Sequence, residues 1–255
     1  MEVTLKMYLI CCPLVFMAGF VDAIAGGGGL ISLPAYTLAG LPLHLAHGTN
    51  KMANCWGSLI AAITYHKKGH IRWDYAPVAV VAALIGSWCG AQLVLRLSDT
   101  ALKMIMLVVL PIVAIFLLTN KNLGHDGERK PLTKNSLMMR LALIGFAVGA
   151  YDGFFGPGAG TFYILGFTLF IGLPLVDASG TCKVLNMVSN FAAVVAYVTG
   201  GTVLYSLAVP CAVCSILGNY LGAKLALKDG APIIRKMMMV VILLLLVKVA
   251  SDWFV

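Results

Sequence analysis

Two lysines, two aspartates and a group of small polar side chains lie inside apolar sequence, and the arrangement occurs twice. In the first copy Asp22 precedes Gly26-Gly27-Gly28-Gly29, and Gly48-Thr49-Asn50-Lys51-Met52-Ala53-Asn54 follows. In the second, Asp152 precedes Gly156-Pro157-Gly158-Ala159-Gly160, and Gly180-Thr181-Cys182-Lys183-Val184-Leu185-Asn186 follows. An ionisable side chain within hydrocarbon is costly and faces a cavity or a partner. Two ammonium groups with Thr49, Asn50, Asn54, Thr181 and Asn186 suit an oxyanion. The amides after each glycine break, around Gly27 and Gly28 in one copy and Gly158 and Gly160 in the other, open a new helix whose N-terminus attracts negative charge. The bland alternative makes each lysine structural, paired with an aspartate or bonded to freed carbonyls. Asp22 and Asp152 are candidates for carrying a coupling proton, because a charged carboxyl is disfavoured in low dielectric. They serve equally well as partners of the lysines or as acceptors for freed amides. His47 lies near Lys51 but matches Ser179 in the second copy, so it is the weaker candidate.

Composition says what surrounds these groups. Hydrophobic residues make up 60% of the 255 and charged residues 11%, against roughly 45–50% and about 25% in soluble domains. That excludes a soluble globule and points to an all-α, polytopic transmembrane bundle. The net charge of +8 falls mostly between apolar runs, where it reads as topology and not as nucleic-acid binding. No cofactor or metal is implied. Cys211-Ala212-Val213-Cys214 has C-x-x-C spacing but no neighbouring His or Cys pair in the sequence, so it reads as small buried hydrophobes. The first apolar run continues into the Asp22 motif, so no cleavable signal is expected.

The expected spans are 7–24, a short run 30–39, 45–65, 75–95 and 101–118 with a kink at Pro111. A polar linker, 120–136, separates these from 137–150, a short run 161–171, 178–198, 204–225 and 233–250. That makes about eight to ten membrane segments, two of them halves of glycine-broken helices. Asp22 and Asp152 are 130 positions apart, and downstream of the breaks the two halves match at an offset of 132: Pro42 with Pro174, Lys51 with Lys183, Tyr65 with Tyr197, Gly86 with Gly218 and Gly90 with Gly222. Residues 1–119 and 137–255 are therefore two repeats. The Gly86/Gly90 and Gly218/Gly222 pairs have the spacing of close helix contacts. Strong basic clusters at 66–72, 121–134 and 224–236, against an uncharged loop at 199–202, favour five crossings per half, inverted repeats, a cytoplasmic linker and both termini outside.

The motifs Gly19-Phe20-Val21-Asp22-Ala23-Ile24-Ala25-Gly26-Gly27-Gly28-Gly29, Ala46-His47-Gly48-Thr49-Asn50-Lys51 and Tyr151-Asp152-Gly153-Phe154-Phe155-Gly156-Pro157-Gly158-Ala159-Gly160 resemble the TauE/SafE sulfite-exporter family, most of all its bacterial YfcA-type permeases. The resemblance runs from about Leu14 to Trp253. It implies a bacterial inner-membrane secondary transporter that moves sulfite, organosulfonates or related sulfur-containing anions, usually outward. The copies differ at Cys182, where the first has Asn50, and at Pro157, so the half-sites are not expected to be equivalent. Readings from other classes are a passive anion channel and a membrane-embedded enzyme. The second lacks H-E-x-x-H, G-x-S-x-G or a Cys/His cluster in the sequence.

Overall fold

A computed structural model describes residues 3–98, 100–102, 104, 105, 108 and 132–253. Most of the expected span 101–118, including Pro111, and linker residues 120–131 lie outside the described residues. Outside residues 100–108, the described residues form nine helices: α1 Leu5–Ala25, α2 Gly29–Leu38, α3 Leu43–His66, α4 Ala76–Arg96, α5 Lys134–Phe154, α6 Ala159–Gly166 running into a π-helical turn at Phe167–Ile171, α7 Leu175–Thr199, α8 Tyr205–Asp229 and α9 Ala231–Trp253. Among these α1, α4, α5, α7 and α8 are long and apolar enough to cross a bilayer, while Gly29–Leu38 and Ala159–Ile171 are short apolar helices. The expected segments other than 101–118 are present, with ends displaced by a few residues, as helix ends commonly are.

The short helices arise where glycine lets the chain turn. Helix α1 ends on Gly26 in the left-handed region (φ 78°), and α2 starts at Gly29. In the second half Gly156 (φ 92°) and Gly158 (φ 80°) make the corresponding turn before α6. Pro42 and Pro174 then sit at the N-caps of α3 and α7, in nearly identical extended conformations.

Packing interleaves the two halves. Helix α1 lies on α8 and α4 on α5, while α3 packs on both α7 and α8 and α4 on α7. The contacts come in matched pairs. A Cβ on Gly218 would lie 2.1 Å from the Phe16 carbonyl oxygen, and one on Gly86 would lie 2.3 Å from that of Phe146. Gly222 faces Phe20 in the same way that Gly90 faces Ala150. Each of these contacts in one half has a counterpart at the matching sequence positions of the other. Glycine at these positions lets helix backbones touch, which is how helices without a hydrophobic drive between them gain packing energy.

Helices α3 and α7, the equivalent pair at the centre, run antiparallel. The chain just after α3 meets the start of α7: Arg72 N donates to Thr181 Oγ1 (3.1 Å), and Gly180 abuts the His70 carbonyl. The chain after α7 meets the start of α3 likewise: Leu204 N donates to Thr49 Oγ1 (3.1 Å), and Gly48 abuts the Thr202 carbonyl.

Candidate functional site

The first break leaves the last four carbonyls of α1 without helical partners, a heavy cost away from water. Each is met. Asp22 O accepts from Gly26 N (2.7 Å) and from the Lys183 ammonium. Ala23 O accepts from Tyr65 Oη (3.1 Å), Ile24 O from Ser179 Oγ (3.1 Å) and Ala25 O from Thr161 Oγ1 (2.7 Å). Three of those donors come from the second half, so the broken end of α1 is held together by the other copy. A cation is also the right charge for a helix C-terminus. The Lys183 ammonium lies 3.5 Å from Asp22 Oδ2, and Asp22 Oδ1 accepts from the Gly28 amide (3.3 Å). Asp22 thus closes the start of α2 with its own carboxylate.

The second break is held differently. Tyr197 Oη donates to Gly153 O (3.2 Å), repeating the Tyr65 contact. Lys51, however, goes to the carboxylate: its Nζ is 2.7 Å from Asp152 Oδ1 and donates to Asn190 Oδ1 at 3.0 Å. Asp152 Oδ2 accepts from Ser189 Oγ. Both members of this pair are buried, with side chains 3% and 7% exposed. The two lysine–aspartate pairs therefore cross between the halves in opposite directions.

Between the breaks lies a small polar cavity. Its wall includes Asp22, Lys51 and Asp152, the side chains of Asn50, Asn54 and Asn186, and the backbone at Gly26, Gly29, Gly156 and Gly160. It measures ≈ 20 Å³, about the space for one or two water molecules. Asn54 Nδ2 donates to Asn50 Oδ1 (2.9 Å), whereas Asn186 Oδ1 is buried without a partner. Unspent hydrogen-bonding capacity in a buried site is what a ligand or a water would use.

Of the residues singled out in the sequence, this cavity gathers Asn50, Lys51, Asn54, Asn186, Gly160, Asp22 and Asp152. Thr49 and Thr181 instead bind the loop amides described above. Lys183 is fully buried on the Asp22 side. Gly28 serves Asp22, Gly27 packs against Val241 of α9, and Gly158 stands at the α6 N-cap with open space around it. His47 is buried, and its Nε2 has no hydrogen-bond partner. Ser58, Ser189 and Asn190 complete the wall or its support and were not anticipated. Asn50, Asn54 and Ser58, like Asn186 and Asn190, recur at four-residue spacing, one helical face, and that stripe was the available signal. All seven cysteines are free, and Cys12 faces Cys211 and Cys214 across the α1–α8 contact. Among the described residues no group of three or more His, Cys, Asp or Glu is arranged to hold a metal.

A bundle of apolar helices, two of them interrupted at one polar cavity with buried ion pairs, is the architecture of a multi-pass membrane transporter. The chain belongs to the TauE/SafE family: the family model described as "Sulfite exporter TauE/SafE" matches residues 11–249. It is 34% identical to "Probable membrane transporter protein ORF9" of a Sinorhizobium species over 239 residues, covering 93% of this chain and 90% of that one. It is 32% identical to "Probable membrane transporter protein YfcA" of Escherichia coli K12, covering 92% and 87%. With a "Probable membrane transporter protein" of Haemophilus influenzae it shares 33% identity, covering 100% of this chain and 99% of that relative. No solved structure matches the chain.

Proposed function

We propose that the protein is a secondary transporter that carries a small sulfur-containing anion, sulfite or an organosulfonate, outward across the cytoplasmic membrane. Residues 1–119 and 137–255 act as inverted repeats joined by a cytoplasmic linker, 120–136, with both termini outside. The antiparallel course of α3 and α7 supports this, because a twofold relating two antiparallel membrane helices lies in the membrane plane. The substrate class and outward direction rest on the family description.

The observation that carries the reading is the central cavity, where Lys51, Asp152 and four asparagines meet beside both breaks. Two lysines and two aspartates cancel, so an added anion brings uncompensated charge into low dielectric. For a monoanion such as hydrogensulfite or a sulfonate, protonation of Asp152 restores neutrality and frees the Lys51 ammonium to face the anion, with Asn50, Asn54 and Asn186 as hydrogen-bonding partners. Lys183 and Asp22 keep the first break assembled while the cavity opens. A cavity of ≈ 20 Å³ is too small for sulfite, so loading requires the halves to separate, as alternating access supplies.

Counterflow of labelled sulfite in proteoliposomes tests this. Expected are saturable exchange that responds to a proton gradient, a raised KM in Asn186→Ala, and loss of exchange in Lys51→Ala. Wild-type rates from Lys51→Ala combined with Lys183→Ala remove the site assignment. Flux that rises linearly with voltage and never saturates replaces the transporter with an anion channel.

A further inference from the structure

We infer that a basic groove between the C-terminal ends of α3 and α8 binds the phosphate headgroup of an anionic phospholipid. The groove is ≈ 490 Å³ and carries Lys67 and Lys68 from one side and Lys224 and Lys228 from the other, with Ile63 and Tyr220 below them. Two basic clusters that lie more than 150 positions apart in sequence thus converge on one pocket. All four lysines are exposed, and among the described residues none has a carboxylate within ion-pair distance. The neighbouring Arg72, in contrast, is paired with Asp74 at 2.8 Å.

Depth and shape select a lipid over a free anion. Ile63 is 39% exposed and Leu217, one turn below Tyr220, is 52% exposed, so the floor of the groove continues onto the apolar flank of the bundle. Tyr220, with the Lys224 ammonium 4.3 Å over its ring, and half-exposed Trp73, bonded to His66, place an aromatic belt at this end. Aromatic residues of that kind mark headgroup depth. Ammoniums above, a ring at the interface and aliphatic wall beneath match phosphate, glycerol and acyl chain in that order.

The fold itself does not demand this chemistry. At the offset of 132, Lys67 and Lys68 correspond to Thr199 and Gly200, and Lys224 and Lys228 to Gln92 and Arg96. There Leu95 packs onto Gly200, and a Cβ at that glycine would meet its Cδ2 at 2.9 Å. One end of a duplicated framework is filled with side chain, and the other is left open and basic.

The test uses the full chain in an uncharged detergent, titrated with short-chain phosphatidylglycerol, phosphatidylcholine or inorganic phosphate and read by native mass spectrometry. Saturable binding of phosphatidylglycerol, at least about tenfold weaker in Lys67→Gln/Lys68→Gln and in Lys224→Gln/Lys228→Gln, is expected. Lys134→Gln, which removes a charge elsewhere, leaves binding unchanged. Thermal melting without lipid shows that the variants remain folded; if a double variant fails to fold, the single variants Lys68→Gln and Lys228→Gln carry the comparison. Equal binding of phosphatidylcholine, wild-type affinity in both pairs of variants, or inorganic phosphate binding as tightly as the lipid each overturns the assignment.

Discussion

Lys51 and Asp152 allow the structural and transport roles of a buried ion pair to be separated. Their 2.7 Å contact corresponds to a gross attraction of ~6 kcal/mol at an effective dielectric constant of 20. The desolvation of two nearly inaccessible groups offsets most of it. Removing one partner strands the other. Lys51→Met leaves the Asp152 carboxylate with the Ser189 hydroxyl as its remaining donor among the described residues and costs about 3–5 kcal/mol, a fall in melting temperature on the order of 10 °C. Asp152→Asn strands the ammonium beside Asn190, with a similar penalty. The double variant Lys51→Met/Asp152→Asn buries no charge at this position, so its penalty falls well short of the sum. Transport behaves otherwise: the double variant is as inactive as Lys51→Met, because no ammonium remains to meet the anion. Melting curves of the four proteins in detergent and sulfite counterflow in proteoliposomes supply the two readouts. Additive melting penalties would refute the pairing, and recovered transport in the double variant would refute the role of Lys51.

Gly218→Ala places a Cβ 2.1 Å from the Phe16 carbonyl oxygen, and Gly86→Ala places one 2.3 Å from that of Phe146. Each should destabilise by about 1–3 kcal/mol through forced backbone separation, and equal losses in thermal melting would reflect the matched contacts. At Gly26, alanine meets both a φ of 78° and a Gly160 backbone carbon at 2.2 Å; Gly26→Ala should therefore abolish counterflow and lower the melting temperature more than either helix-contact variant. The Arg72 guanidinium, as hydrogen-bond partner and nearby charge, holds Asp74 below its ordinary carboxyl range. Its contribution is therefore present above about pH 4 and lost as pH falls through the depressed value. Both groups are well exposed, so Asp74→Asn changes stability at neutral pH by less than about 0.5 kcal/mol.

Apolar runs and glycine breaks made the class and the described helices legible in the chain alone, because hydrocarbon forces every backbone group into helix or into a protein-lined break. Spacing along α3 likewise set Asn50 and Lys51 beside Asn54, and along α7 it set Lys183 beside Asn186, since residues three and four apart share a helical face. What spacing does not carry is the partner across a packing interface. That Lys51 meets a carboxylate while Lys183 meets a helix-end carbonyl, that Thr49 and Thr181 hold loops, and that Ser189 and Asn190 support the cavity were all decided by how α1, α5, α3 and α7 come together in three dimensions. Side chains at equivalent positions diverge there because each break exposes different orphan groups, and a buried donor goes to whichever acceptor would otherwise be left unpaired.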